Sequence, residues 1–139
     1  MTFALDPRLA ADTIEVVDLA LSRVRLMNDA RYLWLILAPR RDDLSELVDL
    51  DGADRALLME EIAAASRALL GAPGVDKINV GALGNIVRQL HIHVVARRFN
   101  DAAWPGPVWG AGSPRRYEPE EALKIAQSLR EALIHAAPR

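Results

Sequence analysis

The chain has 139 residues, 51% of them apolar, a formal charge of −2 and no cysteine. That excludes wholesale disorder, gives no bulk electrostatic basis for nucleic-acid binding, and rules out disulfides and thiolate metal sites. It suits one domain with a single core in a reducing cytosol.

The N-terminus, Met1-Thr2-Phe3-Ala4-Leu5-Asp6, lacks the basic start and long apolar run of a signal peptide. The longest apolar run, Leu33 to Ala38, is too short to span a bilayer. A cytoplasmic protein with no membrane partner is therefore expected.

Leu5-Asp6-Pro7-Arg8 reads as an opening turn. Thr13 to Val17 are strand formers, with a turn near Asp18 or Ser22. Ser22-Arg23-Val24-Arg25-Leu26-Met27 alternates, placing Val24 and Leu26 on one face. Asn28-Asp29 signals a turn. Tyr32 to Ala38 shows no alternation and reads as a strand buried on both faces, closed by Pro39.

Leu44 to Leu50 is a short helical turn or an irregular connection. Asp51 caps a helix that Gly71 and Pro73 end, and Leu58, Ile62, Ala65 and Leu69 form its apolar stripe. Lys77-Ile78-Asn79-Val80 is a further strand. Gly81 to Arg88 is a loop in which Gly81 and Gly84 are free to take unusual backbone angles. Asn100 to Arg116, rich in Pro, Gly and Trp, forms neither helix nor regular strand. Glu118-Pro119 opens a last helix over about 118–137, with Ala122, Ala126, Leu129 and Leu133 as its stripe. Strands that follow one another closely point to antiparallel pairing and an α+β fold.

The stretch with chemical potential is Gln89-Leu90-His91-Ile92-His93-Val94-Val95, which holds two of the three histidines. Its alternation reads as a strand with Gln89, His91, His93 and then Arg97 on one face. Residue types alone leave three readings open. The pair is polar surface on a solvated sheet face, or contributes two ligands to a metal site, or forms a nucleophile with its partner. A metal site needs a third ligand; there is no cysteine, His135 lies near the tail, and no carboxylate shares this face of the strand. Nucleophilic catalysis needs one imidazole nitrogen free and the other held by an acceptor such as a backbone carbonyl. The second histidine would donate to a phosphate oxygen, the glycine loop would offer N–H groups, and Arg97 would add charge. Those parts suit phosphoryl or nucleotidyl transfer.

The stretch resembles the histidine triad (HIT) family signature, His-φ-His-φ-His-φ-φ, with φ apolar and Gln89 in the place of the first histidine. Gly84-Asn85-Ile86-Val87-Arg88-Gln89 keeps the family's spacing from glycine to triad, with Asn85 where the family often has glutamine. Asn79 lies near a family Asn or Gln on the preceding strand, across a loop one residue shorter here. Leu26-Met27-Asn28, the apolar strand and Pro39 resemble the family's first half, and Trp104-Pro105-Gly106 a tail segment of one branch.

The resemblance implies a HIT-like domain over 1–139, its core about 13–110. It implies an antiparallel sheet of about five strands with a long helix packed on it and a C-terminal helix. It implies a hydrolase or transferase, of the nucleoside phosphoramidase or dinucleoside polyphosphate hydrolase type, that cleaves at the α-phosphate through a nucleotidyl–histidine intermediate. His91 is then the nucleophile, His93 a phosphate contact that helps the leaving group, and Gln89 the support of the middle ring. Asn28 touches ribose, and Asn79, Gly84 and Asn85 lie on the phosphate side. Trp104 either stacks on a base and covers the pocket or anchors its loop, and Trp109 is read as packing. No metal or cofactor is expected, and a homodimer is. The rival function is a catalytically weak nucleotide-binding or sensing module.

Overall fold

Five strands form one antiparallel sheet in the order β1-β2-β3-β5-β4: Thr13–Asp18 (β1), Ser22–Met27 (β2), Leu33–Pro39 (β3), Lys77–Gly81 (β4) and Ile92–Arg97 (β5). The structure is a computed structural model that describes residues 2–138. The sheet, the long helix and the C-terminal helix all match the expected α+β arrangement.

The long helix, Gly52–Leu70 (α2), starts where the Asp51 carboxylate accepts the Asp54 N–H at 2.8 Å, and Gly71 ends it. Leu58, Ala65 and Leu69 are buried as their spacing requires. The last helix, Pro119–Ala136 (α3), buries Ala122, Ala126, Leu129 and Leu133. Together they cover one face of the sheet, over Val24, Leu26, Leu35, Leu37, Ile92 and Val94.

Glu61 lies on α2, fully buried and outside the apolar stripe read from the sequence. Its carboxylate accepts the backbone N–H groups of Leu21 and Ser22, both at 2.9 Å. A buried charge persists only where hydrogen bonds replace its water, and these two bonds join α2 to the β1–β2 turn.

Two elements differ from expectation. The opening turn at Leu5–Arg8 is the start of a six-residue helix, Pro7–Asp12 (α1). Asp6 caps it, its carboxylate accepting the Arg8 N–H at 2.8 Å, so Pro7 occupies a first-turn position instead of a reverse turn. The histidine strand also starts later than its alternation suggests, at Ile92. Its first paired residues are Ile92 against Leu37 and His93 against Gly81, where β4 stops. Gln89, Leu90 and His91 have no ladder to join, and the Leu90 N–H donates to the Leu44 carbonyl at 3.0 Å.

The second face of the sheet carries Trp34, Ile36, His93, Val95 and Arg97. It is covered by Leu9 of α1 and by Val108 and Trp109 of the Asn100–Arg116 segment. β3 and β5 are therefore buried on both sides; β3 is accordingly a continuous apolar run, while β5 carries His93 and Arg97 on the second face.

Candidate active site

His93 is the second residue of β5, opposite Ile36 of β3, with Trp34 two positions along on the same face. The Trp34 indole N–H donates to His93 Nδ1 at 3.0 Å. An indole nitrogen is only a donor, so Nδ1 carries a lone pair and the neutral ring has its proton on Nε2. Burial, and then the neighbouring His91, push the His93 pKa from 6.5 down to about 3.

His93 is therefore expected to show no titration between pH 5 and 8 in histidine-resolved NMR. The sign for stability follows. The unfolded chain binds a proton near 6.5 that the folded chain resists until about 3. This contribution is present above about 6.5 and is lost as pH falls toward 3. The Tm should drop between pH 7 and pH 4, and a His93 resonance titrating near 6.5 in the folded protein would contradict the assignment.

His91 holds the complementary form. Its Nδ1 lies 2.7 Å from the Gln89 carbonyl oxygen. A carbonyl only accepts, so Nδ1–H is the donor, and in the neutral ring Nε2 then keeps the lone pair. The two rings meet edge to face with centroids 4.9 Å apart, and both are buried. One ring has a free nitrogen lone pair and its neighbour a free N–H, which is what nucleophilic attack beside a stabilised oxyanion requires.

Glycines shape the surroundings. Gly81 faces His93 across the ladder, and a Cβ there would come within 3.0 Å of the Trp109 ring. Its bare backbone lets Trp109 lie against His93, with ring centroids 5.4 Å apart. Gly84 has φ +69, a left-handed angle that L side chains rarely adopt. With Ser45, Glu46, Ala82 and Leu83 it lines a notch of about 10 Å³ at His91. A larger cleft of about 230 Å³ opens beside Trp34, lined by Asp12, Asn28, Arg31, Trp34, Val108 and Arg116 among others; neither histidine lines it.

Several residues expected at the site have other places. Arg97 was expected to offer charge from the histidine face. It is fully buried, its guanidinium bonded to Asp101 at 2.8 and 2.9 Å and to Asn79 Oδ1 at 2.8 Å. Arg97 and Asn79 are thus bonded to each other, with the Arg97 charge paired to Asp101 and not directed at the histidines. Trp104 lies 5.4 Å over the Arg97 guanidinium and 5.2 Å from Phe99, so it packs this network. Trp109, not Trp104, joins Trp34 against His93, and it packs there on the second apolar cluster.

Asn28 lines the larger cleft while its Oδ1 accepts the Tyr117 N–H at 2.9 Å. Asn85 is exposed on the loop. The Gln89 side-chain amide bonds Asp6 and Ala4 and makes no hydrogen bond to the His91 ring, which is held by the Gln89 backbone carbonyl. His135 is exposed, its ring on the Glu131 carbonyl at 2.7 Å. Among the described residues, no three of His, Cys, Asp and Glu gather as a metal site would require. Among those residues, no helix is long and apolar enough to cross a membrane.

Trp34 was the residue missed. Inside an apolar run it reads as core, and its signal, a lone indole donor on the histidine face, exists only once the β3–β5 register is known.

An antiparallel five-stranded sheet with helices on one face and paired histidines of opposite tautomer on the other defines a small α+β protein with a histidine site. The chain belongs to the HIT domain family, whose domain it matches over residues 8–100. It is similar in structure to a histidine triad protein from Bradyrhizobium japonicum, at 47% identity and a TM-score of 0.92 over 96% of this chain and 99% of that one. A histidine triad protein from Sinorhizobium meliloti is 46% identical, with a TM-score of 0.89 over 96% of each chain. One from Marinobacter aquaeolei is 40% identical, with a TM-score of 0.93 over 99% of this chain and 100% of that one. No curated protein matches the chain.

Proposed function

We propose that the chain is a cytoplasmic hydrolase or transferase of nucleoside phosphoramidates or dinucleoside polyphosphates, acting at the α-phosphate through a nucleotidyl–His91 intermediate. The observation that carries this reading is the pair of opposed tautomers. The Gln89 carbonyl holds the His91 Nδ1 proton and Trp34 holds the His93 Nδ1 lone pair. The lone pair of His91 Nε2 attacks phosphorus while the bond to the leaving group breaks. The leaving group departs with that electron pair and takes any proton it needs from solvent. Water then cleaves the P–N bond, releasing the nucleoside monophosphate and free His91. His93, neutral down to about pH 3, donates a hydrogen bond from Nε2–H to a phosphoryl oxygen and is no proton reservoir at neutral pH. Gly84 and Asn85 bound the phosphate side, and Asn28 the cleft for the sugar.

The test is incubation with a nucleoside phosphoramidate and a dinucleoside polyphosphate, with mass spectrometry for a nucleotidyl adduct on His91. Turnover with the adduct supports the reading. Nucleotide binding without turnover leaves the second reading, a weakly active binding or sensing module. That alternative draws on Gln89, because an amide at the first-histidine position cannot be protonated.

A homodimer is part of this proposal. β4 is a sheet edge with Val80 half exposed. Beside it lies an apolar groove of about 340 Å³ lined by Leu47, Leu58, Met59, Ile62, Val80 and Ile92. Light scattering should give twice the chain mass for the wild type and the single mass for Val80→Arg; a monomeric wild type at 100 μM or so would refute the pairing.

A further inference from the structure

The Gln89 side chain is tied at both ends to a segment more than eighty residues away. Its Oε1 accepts the Asp6 N–H at 2.7 Å and its Nε2 donates to the Ala4 carbonyl at 2.8 Å. Bonding the C=O of one residue and the N–H of the residue two further on is how a parallel strand reads its neighbour. The carboxamide therefore stands in for a peptide group and pairs with Ala4–Asp6. A second strap lies alongside. Arg8 bonds the Asp6 carboxylate at 3.2 and 3.1 Å and donates to the Ile86 carbonyl at 3.3 Å.

The same residue presents the backbone carbonyl that holds His91 Nδ1–H. Residue 89 has no strand ladder to fix it, since β5 starts only at Ile92. The Leu90 N–H of the same peptide plane donates to the Leu44 carbonyl at 3.0 Å, and the tie to Ala4 and Asp6 adds the second restraint that fixes how residue 89 is turned. From this we infer that Gln89 is a positioning residue: its amide latches the N-terminal segment, the latch fixes its carbonyl, and the carbonyl selects the His91 tautomer with Nε2 free. The mechanistic consequence rests on the reading of His91 as nucleophile. The latch itself does not.

Histidine at this position cannot do the same work. An amide projects its oxygen and nitrogen from one carbon, toward neighbouring points on a strand. The two nitrogens of an imidazole face away from each other across the ring and reach Ala4 O and Asp6 N only one at a time. Gln89→His, which restores the family signature, is therefore expected to lower turnover.

The experiment compares wild type, Gln89→His, Gln89→Ala and the isosteric Gln89→Glu. It reads ¹⁵N histidine spectra, the Asp6 amide resonance, and kcat and KM on a nucleoside phosphoramidate. The latch predicts one dominant Nδ1–H tautomer for His91 in the wild type, and a mixture in Gln89→Ala and Gln89→His with a displaced Asp6 amide. Gln89→Glu keeps the acceptor for Asp6 and loses the donor to Ala4, so it falls between. In the rate, kcat falls about tenfold for Gln89→His with KM nearly unchanged, as for a misplaced reacting group. A His91 tautomer unaltered in Gln89→Ala, or a kcat for Gln89→His at or above wild type, overturns the inference. Should wild type turn over no substrate at all, the nucleophile reading fails and the spectra still decide the latch.

Discussion

His91→Ala is expected to lower kcat by on the order of 10⁴-fold or more and to abolish the nucleotidyl adduct, with little change in nucleotide affinity. The size follows from what the substitution removes. No other nucleophilic nitrogen is available at the site. His93 has a lone pair only on Nδ1, and the Trp34 indole occupies it. Ionising His93 to expose another would require an imidazolate, which burial disfavours. On the proposed reading affinity is spared, because Gly84, Asn85 and His93, assigned there to the phosphate side, remain. His93→Ala is a useful contrast. It keeps the nucleophile and removes one oxyanion donor, a loss of about 10²–10³-fold. Single-turnover assays with adduct detection separate the two. An adduct in His91→Ala would sink the assignment of the nucleophile.

The largest expected loss of stability is at Arg97. Arg97→Ala should cost about 3–5 kcal/mol, because it leaves one half of a buried ion pair uncompensated. The Asp101 side chain is almost wholly enclosed, and the Arg97 hydrogen bonds hold its carboxyl below the usual carboxylate range. Asn79 Oδ1 loses its donor as well. The guanidinium faces Tyr32 at 5.9 Å and Trp104 at 5.4 Å, so the deletion also opens a gap between two rings. Removing both charges together with Arg97→Met and Asp101→Leu should recover much of the loss, since no unpaired charge stays buried. Urea unfolding of the two single variants and the double variant measures this. A loss below about 1 kcal/mol for Arg97→Ala would show that water reaches the pair.

Much of the fold was legible in the chain. Alternation in Ser22–Met27, the apolar run before Pro39, the Asp51 cap and the α3 stripe are local signals, and local signals survive folding. The histidine pair was legible because the signature is compact. The misplacements share one cause, dependence on register or on distant chain. Asn79 and Arg97 meet only because β4 and β5 align Lys77 with Arg97. Trp34 meets His93 only across the β3–β5 ladder. Gln89 finds its partners at Ala4 and Asp6, which no spacing argument reaches. α1 was missed because Pro7 is equally at home in a turn and in the first turn of a helix.

The contrast between the two faces of the sheet has a consequence for how the molecule opens. One face is sealed by two long helices whose amides are bonded within themselves; the other is sealed by α1 and by seventeen or so residues of irregular chain. Amides in irregular cover exchange with solvent through small local excursions, while those of β3 and the packed helices exchange only when the whole core comes apart. Peeling back Trp109 and its neighbours uncovers His93 without disturbing α2 or α3. Amides of residues 100–116 are therefore expected to exchange faster than those of β3, and the Arg97–Asp101 pair ties the root of that cover to β5.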